Sequence, residues 1–441
     1  MLALIVSVSM VLSGCDTTNG TNGDPPPADA ATISGQVTED DGGGGNGAAL
    51  TTEGSSVEGA AVTAVAVHGD GSTSSLEGEA TTDASGEFTI EVEGDGASGV
   101  VRLDAEGDGD FESSALVFVD GRASVTAQPM TAKTRAEAEV YSEAKNEDDS
   151  GSHEEGVTKA DVAVYVDADV AAEVNAGAQS ASEVAIAIAN AVAAEAQYSS
   201  EAESGVSASA VAEAKAELFA DVQSQLDAAA DAEARASVYA DLEAALADVY
   251  VASGADAETQ AEIFHAGTSM LAEASTEMSG DAELGLGKKA ELIRAKATST
   301  AQKAILEAEG AAESSIQAIA DARAQLTAEI RAAADVQAIV DAKADFKAAV
   351  DAEIEAAFGL SSEVRAAAEA QAEAAVDALV STLADLVIFT GGAVETAVTA
   401  YTTFYADAQA SVEASLQAEL SEEEAEAAAK AIVQLSAFVE G

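Results

Sequence analysis

No proline follows Pro129: the four prolines of this 441-residue chain stand at positions 25, 26, 27 and 129. Downstream of Pro129 alanine dominates, mixed with Glu, Asp, Gln and Val. Alanine is the best helix former and proline the worst, by about 3 kcal/mol per residue in a helix interior, so about 300 residues are committed to helix. The larger apolar residues mark the faces that such helices bury. Leu218, Val222 and Leu226, then Leu242, Leu246, Val249 and Tyr250, recur by steps of three and four. Ile339, Val340, Phe346, Val350, Ile354 and Phe358 repeat the pattern, as do Val376, Leu379, Val380, Leu383, Leu386 and Val387. Gly254, the 280–287 stretch, Gly359 and Gly391-Gly392 are expected as helix C-caps. Segments of this length between breaks suit an Ala-rich helical bundle. Val157 to Val174 alternates like a strand at Val162, Val164 and Val166 but steps like a helix at Val166, Val170 and Val174; helix is favoured.

Upstream the texture differs. Short β-branched runs lie at 32–37, 60–67, 87–92, 99–105, 115–119 and 123–127, separated by Gly, Asp, Asn and Ser clusters. Short strands with this punctuation predict a small antiparallel β-sandwich. The fold class expected is therefore multidomain α+β, a small antiparallel β-sandwich followed by a large all-α bundle.

Three runs in this region follow one another in order. They are Ile33-Ser34-Gly35-Gln36-Val37, Val57-Glu58-Gly59-Ala60-Ala61-Val62, and Thr81-Thr82-Asp83-Ala84-Ser85-Gly86-Glu87-Phe88-Thr89-Ile90. The series resembles the carboxypeptidase regulatory-like, prealbumin-like domains, whose pattern is a G-x-V strand, a G-A-x-V strand and a T-D-x-x-G-x-F hairpin. In such a hairpin Asp83 caps the turn, Gly86 takes the left-handed conformation and Phe88 returns to the core. The resemblance implies an accessory sandwich that spaces or binds, and no peptidase activity.

At the start, an apolar run from Leu2 to Leu12 flows into Leu12-Ser13-Gly14-Cys15, and Cys15 is the single cysteine of the chain. It resembles the lipobox of bacterial lipoproteins. That resemblance implies cleavage before Cys15, a diacylglycerol on its thiol, and membrane lipid as a partner. The apolar run is too short to span a hydrocarbon core that needs about 20 residues. No Lys or Arg precedes Arg102, so the basic n-region of an export signal is absent. The expected layout is a signal peptide over 1–14, a flexible tether over 15–31, the sandwich over 32–130, a charged hinge over 131–156 and the helical domain over 157–441. The expected location is the cell envelope, exported and lipid-anchored. A second membrane segment near 376–398 is disfavoured by Asp377, Asp385 and Glu395.

Eighty acidic residues face 19 basic ones, a net charge of −61. Such a field repels nucleic acid, which is excluded as a partner. It also resembles the composition of proteins adapted to strong brine, where screening over about 3 Å at 1 M salt removes the self-repulsion.

The remaining chemistry is thin. Asp104, Glu106, Asp108, Gly109 and Asp110 fall near the first, third, fifth, sixth and seventh positions of a calcium loop, but the twelfth is Ala115 rather than Glu. An acidic turn is the favoured reading, with a weak calcium site at Asp104, Asp108 and Asp110 as the alternative. His68, His153 and His265 lack metal-ligand spacing and are expected at the surface. Lys288, Lys289, Arg294, Lys296 and Lys303 are expected to pair with Glu283, Glu291, Glu307 and Glu309. Gly285-Leu286-Gly287-Lys288-Lys289 lacks phosphate-loop spacing. No catalytic constellation or cofactor motif is read, and no enzyme is expected. A structural or interaction role (spacer, scaffold or adhesin-like) with an unknown protein or glycan partner is the leading expectation; a ligand-binding sandwich holding calcium or a glycan is the alternative.

Overall fold

Strict alternation of side chains builds the first part of the fold. The computed structural model describes residues 30–39, 55–68, 72–93, 99–108, 111–119, 123–146, 157–201, 208–229, 238, 249–250, 255–279, 285–384 and 391–440. Cys15, Leu12, Ser13, Gly14, Asp110 and His153 lie outside them. The strands are β1 (Ala30–Gln36), β2 (Thr38–Glu39), β3 (Ser55–Ser56), β4 (Ala61–Val67), β5 (Thr73–Thr81), β6 (Glu87–Glu93), β7 (Val100–Glu106), β8 (Glu112–Phe118) and β9 (Ser124–Thr126). Seven of them form one sheet in the order β8-β7-β4-β5-β6-β1-β9; β2 and β3 form a separate ribbon. All neighbours in the large sheet are antiparallel except β1 and β9, which run parallel.

The sheet curls at β5. This strand pairs with β4 at both of its ends, the register shifting between Thr63 and Val65, and meets β6 through Glu77 opposite Glu93. Gly78 sits at the bend with φ 135°, and a Cβ there would lie 2.1 Å from the Glu91 carbonyl oxygen. Only glycine admits that approach. The curl brings Val62 and Leu103 of one half into a common core with Ile33, Ile90 and Val125 of the other. The hairpin before β6 forms as its residues predict. Asp83 Oδ1 accepts from the Ser85 N–H, the Ser85 hydroxyl and the Glu87 N–H, Gly86 adopts φ 76°, and Phe88 is buried.

Twelve helices follow among the described residues: α1 (Ala132–Asn146), α2 (Lys159–Tyr165), α3 (Ala168–Asn175), α4 (Ala181–Glu201), α5 (Ala208–Ala228), α6 (Ala257–Ser279), α7 (Gly285–Ala308), α8 (Glu313–Ala332), α9 (Val336–Phe358), α10 (Ser362–Leu383), α11 (Gly391–Leu416) and α12 (Glu422–Glu440). The first part of the 131–156 stretch, expected as a hinge, is helix α1. Arg135–Glu139 and Lys133–Glu137 ion pairs one turn apart line it, and it packs on the outer face of β8. That covering explains why β8 buries both Leu116 and Val117 on opposite faces: Val117 joins the sheet core and Leu116 the helical one. The ambiguous 157–174 stretch resolves as two short helices. Thr158 and Asp161 close a capping box on α2, and Asp167 caps α3 through the Asp169 and Val170 N–H groups.

The helix breaks divide into two kinds. Gly359 ends α9 in the left-handed conformation, as expected. Gly391-Gly392 instead opens α11, and Gly285 opens α7, so these glycines are N-terminal rather than C-caps. The turn between α8 and α9 has no glycine; Asp335 provides it by capping the Ala338 N–H. Ser421 and Glu424 make the corresponding box for α12. Helix α12 lies at the centre of the bundle, against α6, α7, α9, α10 and α11. Its residues from Ala428 to Phe438 are buried except Lys430, the pattern of a helix enclosed on all sides. No described helix is long and apolar enough to cross a membrane.

Candidate functional site

The densest chemistry of the chain lies between α2, α4 and α5, beside Tyr250. Asp161 is the third residue of α2, so its carboxylate turns back over the helix N-terminus. Its Oδ2 accepts from the Thr158 N–H at 2.8 Å and the Thr158 hydroxyl at 2.7 Å. Its Oδ1 faces Lys215 Nζ of α5 at 2.7 Å. Glu195 of α4 stands 3.8 Å from the same Nζ. It accepts from the Tyr165 hydroxyl at 2.5 Å and from the Tyr250 hydroxyl. The Lys215 Nζ also lies 5.9 Å from the Tyr250 ring centroid. The side chains of Asp161, Lys215 and Glu195 are 0%, 4% and 1% exposed, so the whole cluster is shielded from water.

Burial sets the electrostatics. Desolvation pushes the Glu195 carboxyl above its ordinary range, partly offset by Lys215 and the two tyrosine donors. Lys215 is depressed by desolvation, but Asp161 and Glu195 outweigh this and hold its ammonium above the usual lysine value. Tyr250 is raised well above its ordinary value by burial and the adjacent Glu195. One ammonium thus bridges two carboxyl groups in a low-dielectric site. Sequence reasoning missed all of this. Asp161, Glu195 and Lys215 each sit among dozens of similar acidic and alanine-flanked positions, and no short spacing joins them.

A second enclosed cluster holds α12. His265 is wholly buried, not at the surface as expected. Its Nε2 lies 2.7 Å from the Thr298 hydroxyl, and burial together with Arg294 and Lys343 drives its pKa well below the usual imidazole value. Arg294 is also turned inward. Its guanidinium donates to Glu291 at 3.1 Å and to the Ala437 carbonyl at 3.0 Å, and Lys343 Nζ lies 3.3 Å from the same Glu291 oxygen. Arg294 from the expected basic patch is therefore paired within the chain, with a partner cation from α9. The N-terminus of α7 is occupied too: the Gly285 N–H donates to Glu173 at 2.9 Å. That contact accounts structurally for the glycine, since a Cβ would fall 2.6 Å from the Glu173 carboxylate.

A third set joins the sheet to the helices. Lys159 Nζ donates to the Leu116 carbonyl of β8, and desolvation lowers its pKa to about 7 against the opposing pull of Glu137. Thr134 donates to the Ser114 carbonyl, Asp227 accepts from the Thr126 N–H, and Gln223 donates to the Thr126 carbonyl. Of the residues weighed for calcium, Asp104 lies within β7. Its two oxygens accept from Arg102 Nε at 3.1 Å and Ser114 Oγ at 2.8 Å, while Asp108 is exposed in the following turn. Among the described residues, no group of three or more His, Cys, Asp or Glu is arranged around a metal-sized space. His68 shares a hydrogen bond with Ser74 in the sheet. A cleft of about 190 Å³ opens where the sheet meets α1 and α3, lined by Glu39, Phe111, Glu112, Arg135 and Asn175. Arg135 there is engaged by Glu112 and Glu139.

No protein-family profile, no curated protein and no solved structure matches the chain.

Proposed function

We propose that the chain is a lipid-anchored protein of the cell envelope, acylated at Cys15, with a structural or interaction role as a spacer or scaffold. The observation that carries the reading is Leu12-Ser13-Gly14-Cys15: a lipobox-like run that closes an apolar segment and contains the chain's one cysteine. The 15–31 stretch, expected as a flexible tether and lying outside the described residues up to position 29, would set the folded part off from the bilayer. The curled sheet is read as a β-sandwich of the carboxypeptidase regulatory-like kind, its halves facing each other across the Ile33, Val62, Ile90 and Leu103 core. The polar groups that join sheet to helices and helix to helix support a structural role: Lys159, Lys215 and Arg294 each make a cross-element contact.

The test is expression of the full chain in a bacterium with detergent-phase partitioning and mass spectrometry of the N-terminal peptide. The full chain should enter the detergent phase and carry diacylglycerol on Cys15, and Cys15→Ser should remain unacylated in the aqueous phase. A wild-type chain that is soluble and unacylated would remove the basis of the proposal.

A further inference from the structure

The Lys215–Asp161–Glu195 cluster has the geometry of a bond-forming site, not only of an ion pair. A primary amine and a carboxyl group are held in contact, 2.7 Å from Nζ to Oδ1, on two helices far apart in sequence. Such placement replaces a bimolecular encounter with an intramolecular one, worth effective molarities of roughly 10⁵ M and above when the atoms are aligned. The other carboxyl oxygen, Oδ2, already receives two donors, the Thr158 N–H and the Thr158 hydroxyl. Donors so placed stabilise negative charge when the carboxyl carbon becomes tetrahedral. A second carboxyl group, Glu195, stands 3.8 Å from the amine and is fixed by Tyr165 and Tyr250. The enclosure excludes bulk water, which would otherwise favour hydrolysis.

We propose that Lys215 and Asp161 condense to an intramolecular isopeptide bond, with Glu195 as the proton carrier. Against the stabilisation that the two carboxyl groups give the ammonium, a proton passes from Lys215 to Asp161 Oδ1, leaving a neutral amine beside a neutral acid while Glu195 remains a carboxylate. The Lys215 nitrogen attacks Asp161 Cγ, the new C–N bond forms, and charge collects on Oδ2 between the two Thr158 donors. Glu195 takes a proton from the nitrogen and delivers it to Oδ1. The C–O bond breaks and Oδ1 leaves as water. Of the three protons on the starting ammonium, one stays on the amide and two depart with that oxygen. Glu195 ends in its starting protonation state, and no oxidant, metal or co-reactant is consumed. Desolvation raises the Glu195 carboxyl above its ordinary range, and the group stands 3.8 Å from the amine, where a proton carrier is required. The product ties α2 to α5 covalently, a cross-link suited to a structural role but independent of whether Cys15 carries lipid.

Peptide mass spectrometry of the full chain, purified at high salt, denatured and digested with trypsin, decides the matter. Since no Lys or Arg lies between Lys159 and Lys215, both residues fall in one tryptic peptide, and the bond should appear as an internally cyclised 160–235 peptide, uncleaved after Lys215 and one water lighter than its linear mass. Recovery of the linear 160–215 peptide at its unmodified mass, with cleavage after Lys215, overturns the proposal. Glu195→Gln keeps the shape of the carrier and removes its ability to ferry protons. It should give the linear 160–215 peptide from protein whose far-UV circular dichroism matches wild type. Undiminished cross-linking in Glu195→Gln would overturn the role assigned to Glu195. Lys215→Arg removes the nucleophile while keeping the charge and the tryptic site, and must yield the linear 160–215 peptide; a peptide still lighter by one water overturns the assignment of Lys215.

Discussion

Replacing Gly267 by alanine probes how tightly α4 and α6 enclose Glu195. In an open helix interior this substitution stabilises by about 1 kcal/mol, because glycine is the poorer helix former. Here the added Cβ would lie 2.5 Å from Glu195 Cγ, 2.8 Å from Glu195 Oε1 and 3.0 Å from the Ala191 carbonyl oxygen. The first two distances are far inside van der Waals contact, and the third partner is helix backbone. Glu195 cannot swing aside freely, since Tyr165 and Tyr250 both donate to it. Overpacking of this kind costs about 1–3 kcal/mol. Displacing a buried carboxylate from its donors adds about 1.5–3 kcal/mol for each charged hydrogen bond lost outright. Set against the helix-propensity gain, the net effect should be a destabilisation of about 2–3 kcal/mol if one such bond is weakened rather than broken. Urea unfolding at fixed high salt, followed by far-UV circular dichroism, reads it as a lower midpoint at unchanged slope. In a Glu195→Ala background most of the penalty should vanish, because the colliding atoms are gone and the two sites couple directly. A midpoint equal to or above wild type in the single variant would refute the placement of Glu195 against α6.

Two further outcomes follow from the charge distribution. With a net charge of −61, the melting temperature and helical circular dichroism should rise steeply between dilute buffer and about 1 M NaCl or KCl, as the screening length contracts to about 3 Å; a flat response would contradict the brine-adapted reading. Burial raises Glu262 of α6 to about 7, although the Tyr198 hydroxyl and the Gln409 amide donate to it and lower it in part. The folded state therefore binds this proton more tightly than the unfolded one. Its contribution is fully present below the ordinary value of 4.5 and is lost as pH rises through about 7. Glu262→Gln should flatten the fall in melting temperature across that window, and an unchanged pH profile would reject the assignment.

Much of the secondary structure was legible because it is written in local rules. All six of the expected strand runs coincide closely with strands, β1, β4, β6, β7, β8 and β9, since period-two burial shows directly in the order of residues. Strand β5 escaped notice: Leu76 is its single large apolar residue, and its other positions are Thr, Ser, Glu, Gly and Ala. Its role is to turn the sheet, which needs a glycine and a register shift rather than apolar alternation. The apolar faces of α9 and α10 were likewise readable, with Phe346, Val350 and Ile354 and then Val376, Leu379 and Leu383 buried as expected. Val340 departs from the pattern and is exposed. The burial of helix α12 is not legible in the sequence because its first half is acidic residues and alanine around Lys430, and alanine carries little information about burial. His265 was misjudged for a related reason: a histidine without spaced partners reads as solvated until the helices that enclose it are known.

By itself, then, the order of residues determined most of the strand runs, the helical character of the chain after Pro129, the Asp83–Gly86 turn, the large acidic excess, and that Cys15 stands alone after an apolar run. Each of these depends on neighbours within a few positions or on simple counts. Tertiary structure alone decided which of 80 acidic and 19 basic residues are taken out of water together. Asp161, Glu195 and Lys215 lie on three different helices, and nothing local distinguishes them from their many equivalents. Only the packing of α2, α4 and α5 turns an ordinary lysine and two ordinary carboxylates into a buried cluster, because desolvation and contact are properties of the assembled fold and not of any stretch of chain.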